Sequence, residues 1–381
     1  MPESSVVLLG SAAPRPPGCG CRTCLTGPPS APAALRVGEL TVIESTVRAA
    51  SSGPVEVAAG DGAEHGGVRI VGLPRVGGGT ALVLAGRGTG TILWSPGPTP
   101  PDPAALDALR GAGLDVAVLG AGRDGRDGLT LPRTLALLRR IGALAPGCDV
   151  VAVELEHTVA PGRYADLLGH WGARRAPDGA PLGRDRAARP GPFPAQPRRT
   201  LVLGPASSGK SEYAEALLAA EPDVDYLPTG PVPTPDDADW AARVGAHRMR
   251  RPRWWRTLES VDAVDAVDAL VDAGPPLLLD SVGTWVSGAL DRCGAWDDAP
   301  GWEQSFEAEV DAVVDAWRQV GRQVVAVGEE TGWGVVPATA AGRTFRDALG
   351  RVNRRLAAES ERVVLVVAGR VCELTEGVPG V

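Results

Sequence analysis

The sequence predicts an α/β protein, and three observations carry that expectation. Short apolar runs alternate with helical patterns throughout the C-terminal half. A glycine-rich turn, GPASSGKS at 204–211, lies between one such run and one such pattern. A proline- and arginine-rich stretch, PLGRDRAARPGPFPAQPR, separates that half from everything before it. Alternation of this kind predicts a mostly parallel sheet with helices on both faces. The stretch over 181–198 has no apolar period and reads as a linker. The expected organisation is therefore a domain over 1–180, the linker, and a domain over 199–381.

Within the second domain the elements follow in order. Arg199–Leu203 reads as a buried strand, and a helix runs from Gly209 to about Ala220 with Ala214, Leu217 and Leu218 on one face. Val224–Leu227 reads as a strand, followed by helices over 236–250 and 259–273. The second of these carries a Val-Asp-Ala repeat, whose period of three drifts around a helix and spreads its aspartates over a solvated face. Pro276–Asp280 is an apolar strand ending in a carboxylate. A helix over 302–320 aligns Phe306, Val310, Val313 and Trp317 on one stripe. A strand at 322–327, a helix at 338–359 and a strand at 363–367 complete the pattern. Ligands of such sheets bind beyond the carboxyl ends of the strands, where the glycine-rich turn lies.

Composition excludes several classes of function. The chain has 381 residues, 44% of them hydrophobic, which is enough for two cored domains. The net charge is −8 and no basic stretch is interleaved with aromatics, so no nucleic-acid partner is expected. No apolar run approaches the ~18 residues of a membrane span. Met1-Pro2-Glu3 lacks the basic start of a secretory signal, so a cytoplasmic location is expected. Six cysteines in a chain this long do not form a disulfide scaffold.

Lys210 is the only lysine; every other basic side chain is arginine. A compact ammonium fits between the phosphates of a nucleotide where a planar guanidinium does not. The turn matches G-x-x-x-x-G-K-[ST], the loop of P-loop NTPases, and the flanking strand and helix are the context that motif requires. Gly204, Pro205, Ala206, Ser207, Ser208 and Gly209 would cradle phosphates, with Lys210 as the charged contact. Ser211 would offer its hydroxyl to Mg²⁺. The bland alternative is a glycine-rich turn that binds nothing. Asp280 stands where P-loop enzymes carry the carboxylate that helps hold Mg²⁺; the alternative is a helix-capping or turn aspartate, since Ser281 and Gly283 follow. His247 is the only histidine of the C-terminal half and lies among Arg243, Arg248, Arg250 and Arg251. Such cations suit polyphosphate and would keep the ring neutral and nucleophilic. A lone histidine is as readily structural as catalytic.

Four segments, GPASSGKSEYAEAL, AARVGAHRMRRPRWWRTLE, EETGWGVVP and FRDALGRVNRRLA, resemble in order those of the bifunctional adenosylcobinamide kinase/adenosylcobinamide-phosphate guanylyltransferase family. The resemblance covers nearly all of 199–381. It implies phosphorylation of adenosylcobinamide, then GMP transfer from GTP through a histidine–GMP intermediate, in cobalamin biosynthesis. His247 occupies the position of that histidine, and Ala246 replaces a second histidine that some members carry. Substrates implied are adenosylcobinamide with GTP and ATP, and the implied assembly is a homo-oligomer, with a trimer the candidate state. The resemblance also draws Glu330, Gly332 and Gly334 into a loop near the site. It adds Trp255 and Glu259, for which packing or capping is the alternative.

In the N-terminal half, Cys19, Cys21 and Cys24 form C-x-C-x-x-C. Three thiolates this close suit a tetrahedral Zn²⁺ with one further ligand, or are unrelated thiols of a surface loop. Val6–Ser11, ILWSPGPTPP, VAVELEHTVAP and WGARRAPDG resemble the metallo-β-lactamase fold of the cyclic-phosphodiesterase branch. That resemblance implies a structural zinc with His157 as fourth ligand and His170 as the second choice. The catalytic string H-x-H-x-D-H is missing, Trp94-Ser95-Pro96 replaces an expected carboxylate, and Glu154 stands in place of a metal histidine. The expectation is a truncated, non-hydrolytic metallo-β-lactamase-like domain. His65 reads as a solvated loop residue. Two further functions compete with the bifunctional transferase: a metal-dependent phosphodiesterase in the N-terminal half, and a nucleotide-binding scaffold without turnover.

Overall fold

The computed structural model describes residues 6–10, 32–49, 53–124, 128–155, 161–183, 196–234, 236–258 and 263–375. The chain divides into two compact units, 1–194 with 219–222, and 195–218 with 223–381.

The first unit contains β1 (Val6–Gly10), β2 (Ala34–Val37), β3 (Leu40–Ile43), β4 (Thr46–Ala49), β5 (Val55–Glu56), β6 (Gly62–His65), β7 (Val68–Pro74), β8 (Thr80–Gly86) and β9 (Gly90–Ser95). It continues with α1 (Pro103–Asp107), β10 (Leu114–Gly120), β11 (Arg123–Asp124), β12 (Gly128–Leu129), α2 (Thr130–Arg140), β13 (Leu144–Val153), α3 (Pro161–His170), β14 (Arg174–Arg175) and β15 (Pro181–Leu182). One sheet has the order β15-β1-β2-β3-β4-β5 and is antiparallel throughout. The second has the order β14-β13-β10-β9-β8-β7-β6. Its β9, β10, β13 and β14 are parallel, and β6 to β9 form an antiparallel meander. Alternate residues of both sheets, among them Leu8, Leu35 and Val42 from one and Ile70, Leu84 and Trp94 from the other, share a single core. The opposite face of β10 and β13 lies under α2, which buries Leu131, Leu135 and Leu138. Strands covered on both faces read as continuous apolar runs, as 116–119 and 150–153 do. Pro181–Leu182, expected to open the linker, instead pairs with Val6 and Val7 as an edge strand. A proline is tolerated there because it sits at the first position of an edge strand.

The second unit contains β16 (Arg199–Gly204), α4 (Lys210–Leu218), β17 (Asp225–Pro228), α5 (Ala238–Arg250), β18 (Arg256–Thr257), α6 (Ala263–Val271) and β19 (Leu277–Asp280). It ends with α7 (Val282–Arg292), α8 (Trp302–Gln319), β20 (Val324–Glu329), α9 (Ala340–Ala358), β21 (Arg362–Val367) and β22 (Arg370–Glu373). The sheet order is β18-β17-β19-β20-β16-β21-β22, parallel except for the final hairpin. Leu201, Leu203, Leu279 and Ala326 face a core built with Trp285, Phe306, Trp317 and Leu356 of the helices α7 to α9. Helix α4 covers the other face of β16, β20 and β21. The expected parallel α/β sheet is therefore present, with α7 and the β21–β22 hairpin as additions. Helix α7 begins with a capping box, in which the Ser281 hydroxyl accepts from Thr284 N–H and the Thr284 hydroxyl accepts from Ser281 N–H.

Candidate active site

The strand order brings the carboxyl ends of β16, β20 and β19 side by side, with Gly204 opposite Glu329 and Asp280 opposite Val327. The glycine-rich turn follows β16. A Cβ on Gly204 would stand 2.5 Å from the Val366 carbonyl oxygen and 2.6 Å from Ser208 Oγ, so no side chain fits. Gly209 has a φ of +90°, a conformation that side-chain-bearing residues avoid. The Gly369 N–H donates to the Ser208 carbonyl at 2.8 Å, tying the turn to the β21–β22 hairpin. Ser208 Oγ is buried and has no hydrogen-bond partner among the described residues. A buried hydroxyl without a partner costs about 1–3 kcal/mol, so its persistence points to a missing acceptor or donor.

Lys210 opens α4 with its ammonium mostly buried. Its Nζ donates to the Pro205 carbonyl at 3.4 Å and lies 3.8 Å from Glu329 Oε1. Glu329 Oε2 accepts from Gly283 N–H at 3.0 Å and from Ser281 Oγ at 3.1 Å. Ser211 follows Lys210 in the first turn of α4 and is partly exposed. Ser211 and Glu329 carry hydroxyl and carboxylate oxygens, the donor types that suit Mg²⁺. Asp280, expected in that role, has its Oδ2 beside His247 and Tyr226. Because β20 lies between β16 and β19, the strand-end carboxylate beside Lys210 comes from β20.

Asp280 Oδ2 lies 3.3 Å from His247 Nδ1 and accepts from the Tyr226 hydroxyl at 3.1 Å. Glu215 of α4 is the second carboxylate near the ring, its Oε1 3.9 Å from Nδ1. Burial pushes the Glu215 carboxyl up, while hydrogen bonds and charge from Arg250 pull it back. Burial and the Asp280 charge push the Tyr226 phenol well up, so it remains a donor.

The arginines expected around His247 take other partners. Arg250 donates to Glu215 at 3.2 Å and 3.4 Å. The Arg251 guanidinium stacks on Tyr226, 3.4 Å from the ring centroid, and donates to the His247 carbonyl at 3.2 Å. Arg248 is exposed, and the Arg243 side chain lies outside the described residues. Arg250 lies one turn beyond His247 on the same face of α5, and Arg251 follows at its extended C-cap. The ring therefore faces carboxylates, not guanidinium groups.

A continuous set of contacts joins the two halves of the site. It runs from Lys210 to Glu329, through Ser281 to the adjacent Asp280, and on to His247. Glu329, Glu215 and Tyr226 escape sequence reading, because each acquires its role only from the strand order or from α4 packing on the sheet. Glu330 accepts from the Asn353 amide at 3.4 Å, while Gly332 and Gly334 lie in an exposed segment. Trp255 is buried. Glu259, Cys19, Cys21, Cys24 and His157 lie outside the described residues. Among the described residues no group of three or more His, Cys, Asp and Glu side chains is arranged to hold a metal ion. None of their helices is long and apolar enough to cross a membrane.

The profile of the family described as cobinamide kinase / cobinamide phosphate guanyltransferase matches residues 200–374. The bifunctional adenosylcobalamin biosynthesis protein CobU of Escherichia coli (strain K12) is 38% identical over 175 residues, which is 44% of this chain and 95% of that protein. Its counterpart in Salmonella typhimurium is 38% identical over 176 residues, again 44% and 95%. The bifunctional adenosylcobalamin biosynthesis protein CobP of Pseudomonas aeruginosa is 36% identical over 173 residues, 45% of this chain and 94% of that protein. The phosphate loop, its lysine and the histidine all fall within the matched residues, and the chain belongs through them to the cobinamide kinase / cobinamide phosphate guanyltransferase family of transferases.

Proposed function

We propose that the C-terminal unit phosphorylates adenosylcobinamide and then transfers GMP from GTP to the resulting phosphate, with His247 as the covalent carrier. The continuous contact from Lys210 through Glu329 and Asp280 to His247 carries this reading. It joins a phosphate-holding loop to a nucleophilic base in one site. The turn of 204–209 would hold the β- and γ-phosphates through backbone N–H groups, and the unpartnered Ser208 hydroxyl would gain an acceptor there. Lys210 would shift from Glu329 to the phosphates and offset the charge that builds on departing pyrophosphate. Mg²⁺, when bound through Ser211 and a nearby carboxylate, neutralises phosphate charge. Arg248, exposed on α5, is available to anionic groups of the substrates.

Incubation with α-³²P-labelled GTP tests the reading. Acid-labile label on the protein is expected in the wild type and in His170→Ala, and its loss in His247→Ala. Turnover of cobinamide with GTP, and with ATP plus GTP, would separate phosphorylated from guanylylated product and identify the kinase donor. A wild type that takes up no label would favour the scaffold reading.

The N-terminal unit we read as a degenerate metallo-β-lactamase-like domain, with Cys19, Cys21, Cys24 and His157 holding structural zinc. Support comes from the sequence segments and from two β-sheets sharing one core. One equivalent of zinc in the purified protein, lost in Cys21→Ser, is the expected result. The family resemblance supports assembly as a homo-oligomer, which light scattering checks, and the N-terminal sequence supports a cytoplasmic location.

A further inference from the structure

Resting on His247 as the guanylyl carrier, we infer that Asp280 is the positioning residue of that histidine: it takes the Nδ1–H and leaves Nε2 as the atom that bonds phosphorus. Three observations lead there. Asp280 Oδ2 is the carboxylate oxygen nearest the ring, 3.3 Å from Nδ1. That same oxygen is fixed from a second direction by the Tyr226 hydroxyl at 3.1 Å. The carboxylate beside Lys210 is that of Glu329, its Oε1 3.8 Å from Nζ. Glu215 is farther from Nδ1, at 3.9 Å, and is bound to Arg250 through both its oxygens. The ring is thereby left with one short carboxylate partner, on one nitrogen.

The chemistry follows from the tautomer. A neutral imidazole carries its proton on one nitrogen and its lone pair on the other. With Nδ1–H held by Asp280, the lone pair stands on Nε2. Nε2 attacks the α-phosphorus of GTP. The Nε2–P bond forms, the bond from phosphorus to the bridging α–β oxygen breaks, and pyrophosphate leaves with that electron pair. No proton leaves the ring, which becomes cationic, and the Asp280 carboxylate offsets the new charge across the Nδ1–H bond. In the second half, an oxygen of cobinamide phosphate attacks the same phosphorus. The N–P bond breaks and its electrons return to Nε2, restoring the starting tautomer.

The test uses the full chain, with ¹⁵N-labelled histidine and α-labelled GTP. In the resting wild type, ¹⁵N shifts of His247 are expected to show Nδ1 protonated and Nε2 free, and after GTP the ³¹P–¹⁵N coupling should fall on Nε2. Asp280→Asn should mix the tautomers. It should also lower the single-turnover rate of guanylylation by up to about 10⁴-fold, the scale on which an imidazole in the wrong tautomer loses catalysis. The kinase rate should fall at least tenfold less. Tyr226→Phe keeps the carboxylate and removes only its anchor; a fall of about three- to tenfold in guanylylation is expected. Coupling at Nδ1 in the wild type overturns the inference. So does an Asp280→Asn enzyme whose kinase and guanylylation rates fall together with a raised Mg²⁺ requirement, since that assigns Asp280 to the metal. An unlabelled wild type, or label that survives in His247→Ala, overturns the carrier assignment and the inference with it. Failure in Asp280→Asn alone leaves the carrier standing.

Discussion

In the N-terminal unit β9, β10 and β13 run parallel, and the loop after β9 packs directly on the end of β10. In the C-terminal unit β16, β19 and β20 run parallel and end in loops that leave groups unfilled. Glycine makes both arrangements. A Cβ on Gly120, at the end of β10, would stand 2.1 Å from the Gly97 carbonyl oxygen, so the loop after β9 lies directly on that strand end. The polar groups there answer one another: Arg75 donates to the Thr99 carbonyl at 3.0 Å, and Glu154 accepts from Gly97 N–H. Burial pushes the Glu154 carboxyl up, and that N–H together with Arg75 pulls it back. At the end of β16, Gly204 lets the turn fold back on its own strand, leaving Ser208 Oγ buried without a partner. Parallel strands thus supply a place for a ligand in either unit, and the loops decide whether chain or ligand occupies it.

The largest effect that would break this contrast is at Lys210. Lys210→Ala should lower both transfer reactions by about 10³-fold, and Lys210→Arg should recover little, because charge is kept but shape is not. Steady-state rates with GTP check both, and an active Lys210→Arg would remove the reason for a lone lysine. A matched pair of glycine substitutions sharpens the contrast next. Gly204→Ala should cost at least tenfold in turnover, since the turn must move. Gly120→Ala should lower the stability of the N-terminal unit by about 2–3 kcal/mol while turnover stays within about twofold, read by calorimetry and rate on the same sample.

A structural ion cluster gives the next effect. Asp225 is buried and takes hydrogen bonds from Arg256 at 2.7 Å and Arg322 at 2.8 Å. Burial pushes its carboxyl up, but the two guanidinium groups outweigh that and hold it below its ordinary value. A depressed folded-state value stabilises the fold above pH ~4, and this contribution is lost as pH falls through the folded value. Melting temperature should therefore drop below pH 4, less steeply in Asp225→Asn. Arg322→Ala should cost about 3 kcal/mol at neutral pH by leaving a buried carboxylate short of a partner. The smallest effect is expected at Ser208. Ser208→Ala should leave the free protein as stable or slightly more stable, and should weaken GTP binding about three- to tenfold by calorimetric titration.

The phosphate loop was legible because its chemistry is local: a strand, a turn and a helix are adjacent in the chain, and the lysine has no alternative role. The parallel sheet was legible from alternation alone. Partners across the sheet were not. Asp280 and Glu329 both end apolar strands, and only the order β19-β20-β16 decides which one meets Lys210. The neighbours of His247 were misjudged because chain proximity to arginines says nothing of the face each occupies on α5. Glu215 and Tyr226 carry no motif, and their roles arise from α4 and β17 meeting α5. Helix α7 was missed because Ser281 and Gly283 read as a turn, while the Ser281–Thr284 box converts that turn into a helix start.

The solitary amine has a practical corollary. A protease specific for lysine has one scissile bond in this chain, after residue 210, at the first residue of α4. That residue is only 8% exposed in the folded unit, so cutting requires the start of α4 to unwind. The rate of that single cut is a built-in gauge of how often the loop opens, and bound nucleotide should slow it without any probe being introduced.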